Sequence, residues 1–88
     1  MLIEFYGTEC GHCTTMAPLV QRLQQEEGVQ IEQREVWHNE ENATAQKQYD
    51  VGLCGGVPFF YNTETKQHIC GEASYEELKT WALGTQEG

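Results

Sequence analysis

Cys10-Gly11-His12-Cys13 sets two thiols two residues apart, where a short apolar run gives way to helical periodicity. The run before them, Leu2-Ile3-Glu4-Phe5-Tyr6, is nearly continuous apolar with one acid in it and reads as a buried strand, closed by a turn at Gly7-Thr8. After them Met16, Leu19, Val20 and Leu23 recur at i, i+3, i+4 and i+7, one face of an amphipathic helix from about His12 to Glu27. Gly28 suits its C-terminal cap. Pro18 inside it removes one backbone hydrogen bond and is expected to bend the axis. A thiolate in the first turn of a helix is stabilised by the positive end of the helix dipole and by unpaired backbone N–H groups. A second cysteine one turn later is placed to attack whatever the first has bonded. The local order strand, turn, CxxC, helix therefore points to thiol–disulfide exchange.

The 88 residues are expected to form a single domain over residues 1–88, with room for about four strands and two or three helices. Fourteen acidic side chains against five basic ones give a formal charge of -9, which argues against nucleic acid and anionic membrane surfaces as partners. No run approaches the ~18–20 apolar residues of a membrane span. The N-terminus lacks the basic stretch of a signal peptide, and Glu4 interrupts its apolar segment, so a cytoplasmic location is expected. In a reducing compartment a CxxC reads as catalytic or metal-binding rather than structural.

Further along, Gln30 to Trp37 alternates weakly and reads as a polar outer strand. Asn39 or Asn42 can cap a short helix through Tyr49. Asp50 to Gly56 is a glycine-rich loop. Val57 to Tyr61 is a second buried strand with its proline at the start, where the missing N–H does least harm. Asn62 to Lys66 is a polar turn and Gln67 to Cys70 a returning strand. Ser74 and Glu77 form a capping box, opening a helix with Tyr75, Leu78 and Ala82 on one face and Trp81 beside them. The order is β-α-β-α-β-β-α. Strands joined through helices imply right-handed parallel crossovers for the first three, followed by a hairpin. The tail from residue 84 to 88 is expected to fray.

This order together with CGHC resembles the thioredoxin superfamily, and the N-terminal third resembles a catalytic domain of protein disulfide isomerase. Leu2 to Tyr6, CGHC and Ala17-Pro18 match that family's run at the same spacing, Gly56-Val57-Pro58 resembles its cis-proline loop, and Cys70-Gly71 with Ser74 its last strand and helix start. The fold so implied is a minimal α/β thioredoxin fold, a four-stranded mixed sheet flanked by three helices. The chain departs from the family pattern in starting at the strand that leads into the active site. It also has Glu9 where a tryptophan is usual and Thr14 where the isomerases commonly carry a basic residue. Gly71-Glu72 matches part of the glutathione site of glutaredoxins.

The residues then take roles. Cys10 is the nucleophile, since exchange requires a thiolate. Cys13 is the resolving thiol, attacking once Cys10 is held in a mixed disulfide. Glu4, a lone acid in a buried strand, is the proton acceptor for Cys13, with its pKa raised by desolvation. His12 is expected to stabilise the Cys10 thiolate, and Glu9 to oppose it if its carboxylate lies close. The resemblance implies that histidine at this position accompanies a more oxidising couple. Reference potentials of about -270 mV for thioredoxin and about -180 mV for the isomerase differ by some 4 kcal/mol. It further implies a cis Pro58, with Val57, Pro58 and Gly71 forming the substrate-binding edge, where an extended segment pairs by its main chain. Cys54 and Cys70 remain open between a second disulfide, accessory or regulatory thiols, and buried inert cysteines. His38 and His68 are read as surface residues, Trp37 and Trp81 as packing residues.

The reading that follows is a monomeric thiol–disulfide oxidoreductase that reduces protein disulfides, with no bound cofactor beyond the redox-active Cys10–Cys13 pair and no metal, re-reduced by thioredoxin reductase or glutathione. Two rivals stand beside it. One is an oxidase or isomerase in an oxidising compartment. The other is a zinc or iron–sulfur module in which Cys10 and Cys13 are joined by a later cysteine or a histidine.

Overall fold

A computed structural model describes residues 1–84. The elements are β1 (Leu2–Tyr6), α1 (Gly11–Glu27), β2 (Ile31–Glu35), α2 (Glu40–Tyr49), β3 (Phe59–Asn62), β4 (His68–Cys70) and α3 (Tyr75–Leu83). The strands form one mixed sheet in the order β2-β1-β3-β4. Three helices and four strands make the thioredoxin-like α/β architecture. Gly84 ends α3 in the left-handed conformation; the rest of the tail expected to fray lies outside the described residues.

β1 is parallel to β2, with Leu2 opposite Ile31 and Tyr6 opposite Glu35. Its other edge is antiparallel to β3, with Phe5 opposite Phe59 and Leu2 opposite Asn62. The expected second parallel crossover is thus corrected. The Gln46 side chain on α2 donates to the Gly56 carbonyl, 2.9 Å away, which ties the loop after α2 close to the helix. The chain re-enters the sheet at the end it left by, and β3 must run antiparallel. This reversal brings Val57-Pro58 to the same end of the sheet as the CxxC.

Strand alternation divides β1 between two cores. Ile3 and Phe5 point to one face and, with Phe59 and Tyr61, form a cluster covered by Ala45 and Tyr49 of α2. Leu2 and Glu4 point to the other face, where Met16, Val20 and Leu23 of α1 pack with Phe60, Leu78 and Trp81. Phe60 and Trp81 meet edge to face, with ring centroids 5.5 Å apart. α1 continues unbroken through Pro18, which lies on its exposed side. Asn39 caps α2, its side chain accepting from the Asn42 N–H. The Ser74–Glu77 capping box of α3 is complete.

Trp81 is buried, whereas Trp37 is half exposed and packs only part of its ring. That part lies over Gly7, where a Cβ would come within 2.3 Å of the indole. Gly7→Ala is expected to destabilise the fold by about 1–3 kcal/mol through overpacking. In a Trp37→Ala background most of that cost disappears, as checked by urea denaturation of the four members of the cycle.

Candidate active site

Cys10 is the N-cap of α1, in extended conformation (φ -83°, ψ 114°). Its Sγ accepts the Cys13 N–H at 3.1 Å, so the sulfur occupies the place that a serine or aspartate oxygen takes in an ordinary cap. The free N–H groups and the helix dipole converge there, which favours negative charge on that atom. Its thiol lies 3.9 Å from the Val57 carbonyl oxygen, to which it can donate. The Val57–Pro58 peptide bond is cis. Pro58 accepts through its carbonyl from the Gly71 N–H at 2.8 Å, so Val57, Pro58 and Gly71 form one edge beside Cys10.

Cys13 is buried behind Cys10, and its thiol pKa is pushed up to about 12. Desolvation is the main cause; the hydrogen bond with Cys10 and the nearby negative charges of Cys10 and Glu4 add to it, while a backbone hydrogen bond from Gly7 works the other way. Glu4 is 1% exposed. Burial drives its carboxyl above the ordinary range, and the hydrogen bond from Gln33 Nε2, 2.8 Å away, pulls it only part of the way back. Glu4 and Cys13 line the same open-mouthed cavity of about 300 Å³, with Thr14, Gln21 and Gln33 on its walls. That space accommodates water between the carboxylate and the thiol.

Cys54 and Cys70 are bonded to each other, with Cα atoms 5.4 Å apart. The reading of them as accessory thiols, or as buried inert ones, is corrected: the loop after α2 passes beside the end of β4 and brings residues 16 apart in sequence together. Cys10 and Cys13 are the free thiols. Among the described residues no three His, Cys, Asp or Glu side chains converge as a metal site.

The imidazoles also lie where their spacing did not say. His12 is 73% exposed and its Nδ1 pairs with Glu72 Oε2 at 2.5 Å. It makes no hydrogen bond to either cysteine. Glu9 is held by His38 Nε2 at 2.8 Å, so its carboxylate is engaged away from the thiols. That hydrogen bond, together with the charge of Glu9, raises the His38 pKa. His68 is exposed.

Sequence reasoning passed over Asp50. Its carboxylate accepts from the N–H groups of Leu53, Cys54 and Gly55 and so shapes the loop leading to Pro58. Burial works to raise its pKa, but these bonds outweigh it and hold the group below the ordinary range. An aspartate at the head of a glycine-rich loop is the local signal that could have found it. Gln33 carries no such signal, and Glu72 stood out only in the likeness of Gly71-Glu72 to part of a glutathione site.

Residues 1–83 match the family described as Thioredoxin. This chain belongs to the thioredoxin family. The match supports thiol–disulfide oxidoreductase chemistry in general. Among solved structures, thioredoxin 1 from the thermophilic eubacterium Thermosipho africanus TCF52B is similar, with a TM-score of 0.66 and 21% identity over 90% of this chain and 85% of that one. At that identity the likeness shows the fold. No curated protein sequence gives a significant match. Among the described residues no helix of this thioredoxin-family chain is long and apolar enough to cross a membrane.

The buried carboxyl makes stability depend on pH in a definite sense. Because the folded-state pKa of Glu4 is raised, its contribution is fully present below the unfolded value of about 4.3 and is lost as pH rises through the folded value. Glu4→Gln is therefore expected to be close to neutral at pH 4 and stabilising at pH 7–8 by on the order of 1–2 kcal/mol. Denaturation of both proteins across that range measures it; a pH-independent difference would contradict a buried, titrating Glu4.

Proposed function

We propose that this protein is a thiol–disulfide oxidoreductase that reduces protein disulfides through Cys10 and Cys13 in a cytoplasmic setting, as a monomer. The observation that carries the reading is the position of Cys10 as the sulfur N-cap of α1, facing the Val57-Pro58 edge, with Cys13 and Glu4 behind it.

An extended substrate segment lies along the Val57 backbone, held by main-chain hydrogen bonds and tolerant of sequence. The Cys10 thiolate attacks one sulfur of the substrate disulfide. An S–S bond forms to Cys10, the substrate S–S bond breaks, and the first substrate thiolate leaves and takes up a proton. Cys13 then has to lose a proton despite its high pKa. The Glu4 carboxylate accepts it through water in the shared cavity. The Cys13 thiolate attacks the Cys10 sulfur, and the second substrate thiolate departs and takes up a proton from water, to which Glu4 returns the one it accepted. The substrate has gained two electrons and two protons, and the protein carries a Cys10–Cys13 disulfide. Thioredoxin reductase or glutathione returns the pair to the dithiol. The charge of -9 suits partners with a basic docking face and disfavours polyanions.

The pairing of Cys54 with Cys70 bears on the rivals. It withdraws both sulfurs from any metal shared with Cys10 and Cys13, which supports redox over metal chemistry. It also favours, as a second reading, an oxidase or isomerase in an oxidising compartment, since stable disulfides are uncommon in reducing ones.

Thiol counting in glutathione redox buffers tests both. The Cys10–Cys13 pair is expected to behave as a two-electron couple that vanishes in Cys10→Ser, at a potential above that of thioredoxin. Cys13→Ser is expected to accumulate a mixed disulfide at Cys10. Glu4→Gln should slow resolution about 100-fold while leaving the first attack nearly unchanged. Stoichiometric zinc or iron in anaerobically purified protein, or the lack of any reversible disulfide at Cys10, would sink the enzyme reading. Net oxidation of dithiol substrates in preference to reduction would favour the second.

A further inference from the structure

The segment Gly71-Glu72-Ala73 joins β4 to α3 and is fastened at each residue around Glu72. The Gly71 N–H is bonded to the Pro58 carbonyl, and the Ala73 N–H reaches Met16 Sδ at 3.4 Å. One residue earlier, Cys70 is covalently tied to Cys54 in the loop that precedes Val57-Pro58. A carboxylate presented from so fastened a segment has little freedom, and it meets His12, the histidine between the two reactive cysteines. His12 lies exposed in this contact and makes no hydrogen bond to the buried Cys10, two residues before it.

Resting on the oxidoreductase reading, we propose that Glu72 is a positioning residue for the Cys10–Cys13 couple: it holds the exposed His12 through Nδ1, and the Cys54–Cys70 disulfide fixes the segment that carries it. Held this way, the imidazole gives its Nδ1 to Glu72 and is withheld from the Cys10 sulfur. Releasing it leaves the same ring free to turn toward the helix N-terminus, where an N–H donor stabilises thiolate. The second disulfide, which takes no part in the exchange steps, thereby acts on the potential of the first.

The test uses the full chain equilibrated with glutathione at fixed pH, with the rate of Cys10 alkylation by iodoacetamide as an independent readout. Glu72→Gln is expected to shift the Cys10–Cys13 equilibrium about two- to fivefold toward the dithiol, the range for exposed charge pairs, and to speed alkylation. Glu72→Asp, which keeps the carboxylate, should recover at least part of the wild-type value. In a His12→Ala background Glu72→Gln should have no effect. Cys54→Ser/Cys70→Ser should move the equilibrium in the same direction as Glu72→Gln, and adding Glu72→Gln to it should add little.

An unmoved equilibrium in Glu72→Gln, or a shift that persists without His12, overturns the positioning role. An unmoved equilibrium in Cys54→Ser/Cys70→Ser overturns the part given to the disulfide, provided circular dichroism shows that variant folded. If it does not fold, selective reduction of Cys54–Cys70 in the wild-type chain gives the same comparison. A missing Cys10–Cys13 couple in the wild-type protein would instead defeat the oxidoreductase reading itself.

Discussion

Strand β1 is hydrogen-bonded along both edges and covered on both faces, and the rest of the molecule is arranged around that fact. A strand so placed must turn its odd positions to one core and its even ones to the other. Ile3 and Phe5 meet the aromatic cluster beneath α2. Leu2 and Glu4 meet α1. The carboxyl group is therefore not a solvated edge charge but a titrating group enclosed beside the helix that carries Cys13. Its desolvation is tolerated because Gln33, on the neighbouring strand, supplies a hydrogen bond from exactly one register position: Glu4 opposite Gln33.

The reactive end follows from where β1 stops. Gly7 leaves room for Trp37, and the Cys10 N–H bonds back to the Gly7 carbonyl. Cys10 then falls at the N-cap of α1, so a sulfur rather than an oxygen receives the Cys13 N–H, one of the free donors of the first turn. The same geometry divides the two thiols. Both are buried, but Cys10 lies at the helix end beside the Val57 carbonyl, while Cys13 faces the Glu4 cavity, where desolvation and the hydrogen bond with Cys10 hold its proton. One is arranged to attack and the other to wait, and the difference arises from a single helical turn rather than from any difference in residue type.

The opposite wall of the site is built by less local means. Asp50 gathers three N–H groups of the loop, Gln46 fastens Gly56, and the Cys54–Cys70 bond ties loop to strand. These contacts deliver Val57-Pro58 to Cys10 although 47 residues separate Val57 from it in the chain.

Features governed by neighbours in sequence were legible without the structure. The apolar period of α1, the Ser74–Glu77 capping box and the buried strand around Glu4 each arise from interactions within a few residues, as does the α2 cap, narrowed to Asn39 or Asn42, and the CGHC motif marks the thiol chemistry in the same way. Family resemblance extended this to the overall fold. Tertiary structure alone decided the direction of β3, the partner of each cysteine beyond the CxxC, and the engagement of His12 with Glu72 and of Glu9 with His38. Side-chain pairing across tens of residues depends on register, loop path and rotamer, and none of these leaves a periodic trace in the chain. Sequence thus determined that Cys10 and Cys13 stand at a strand–helix junction, and the fold decided which charges and which backbone edge surround them.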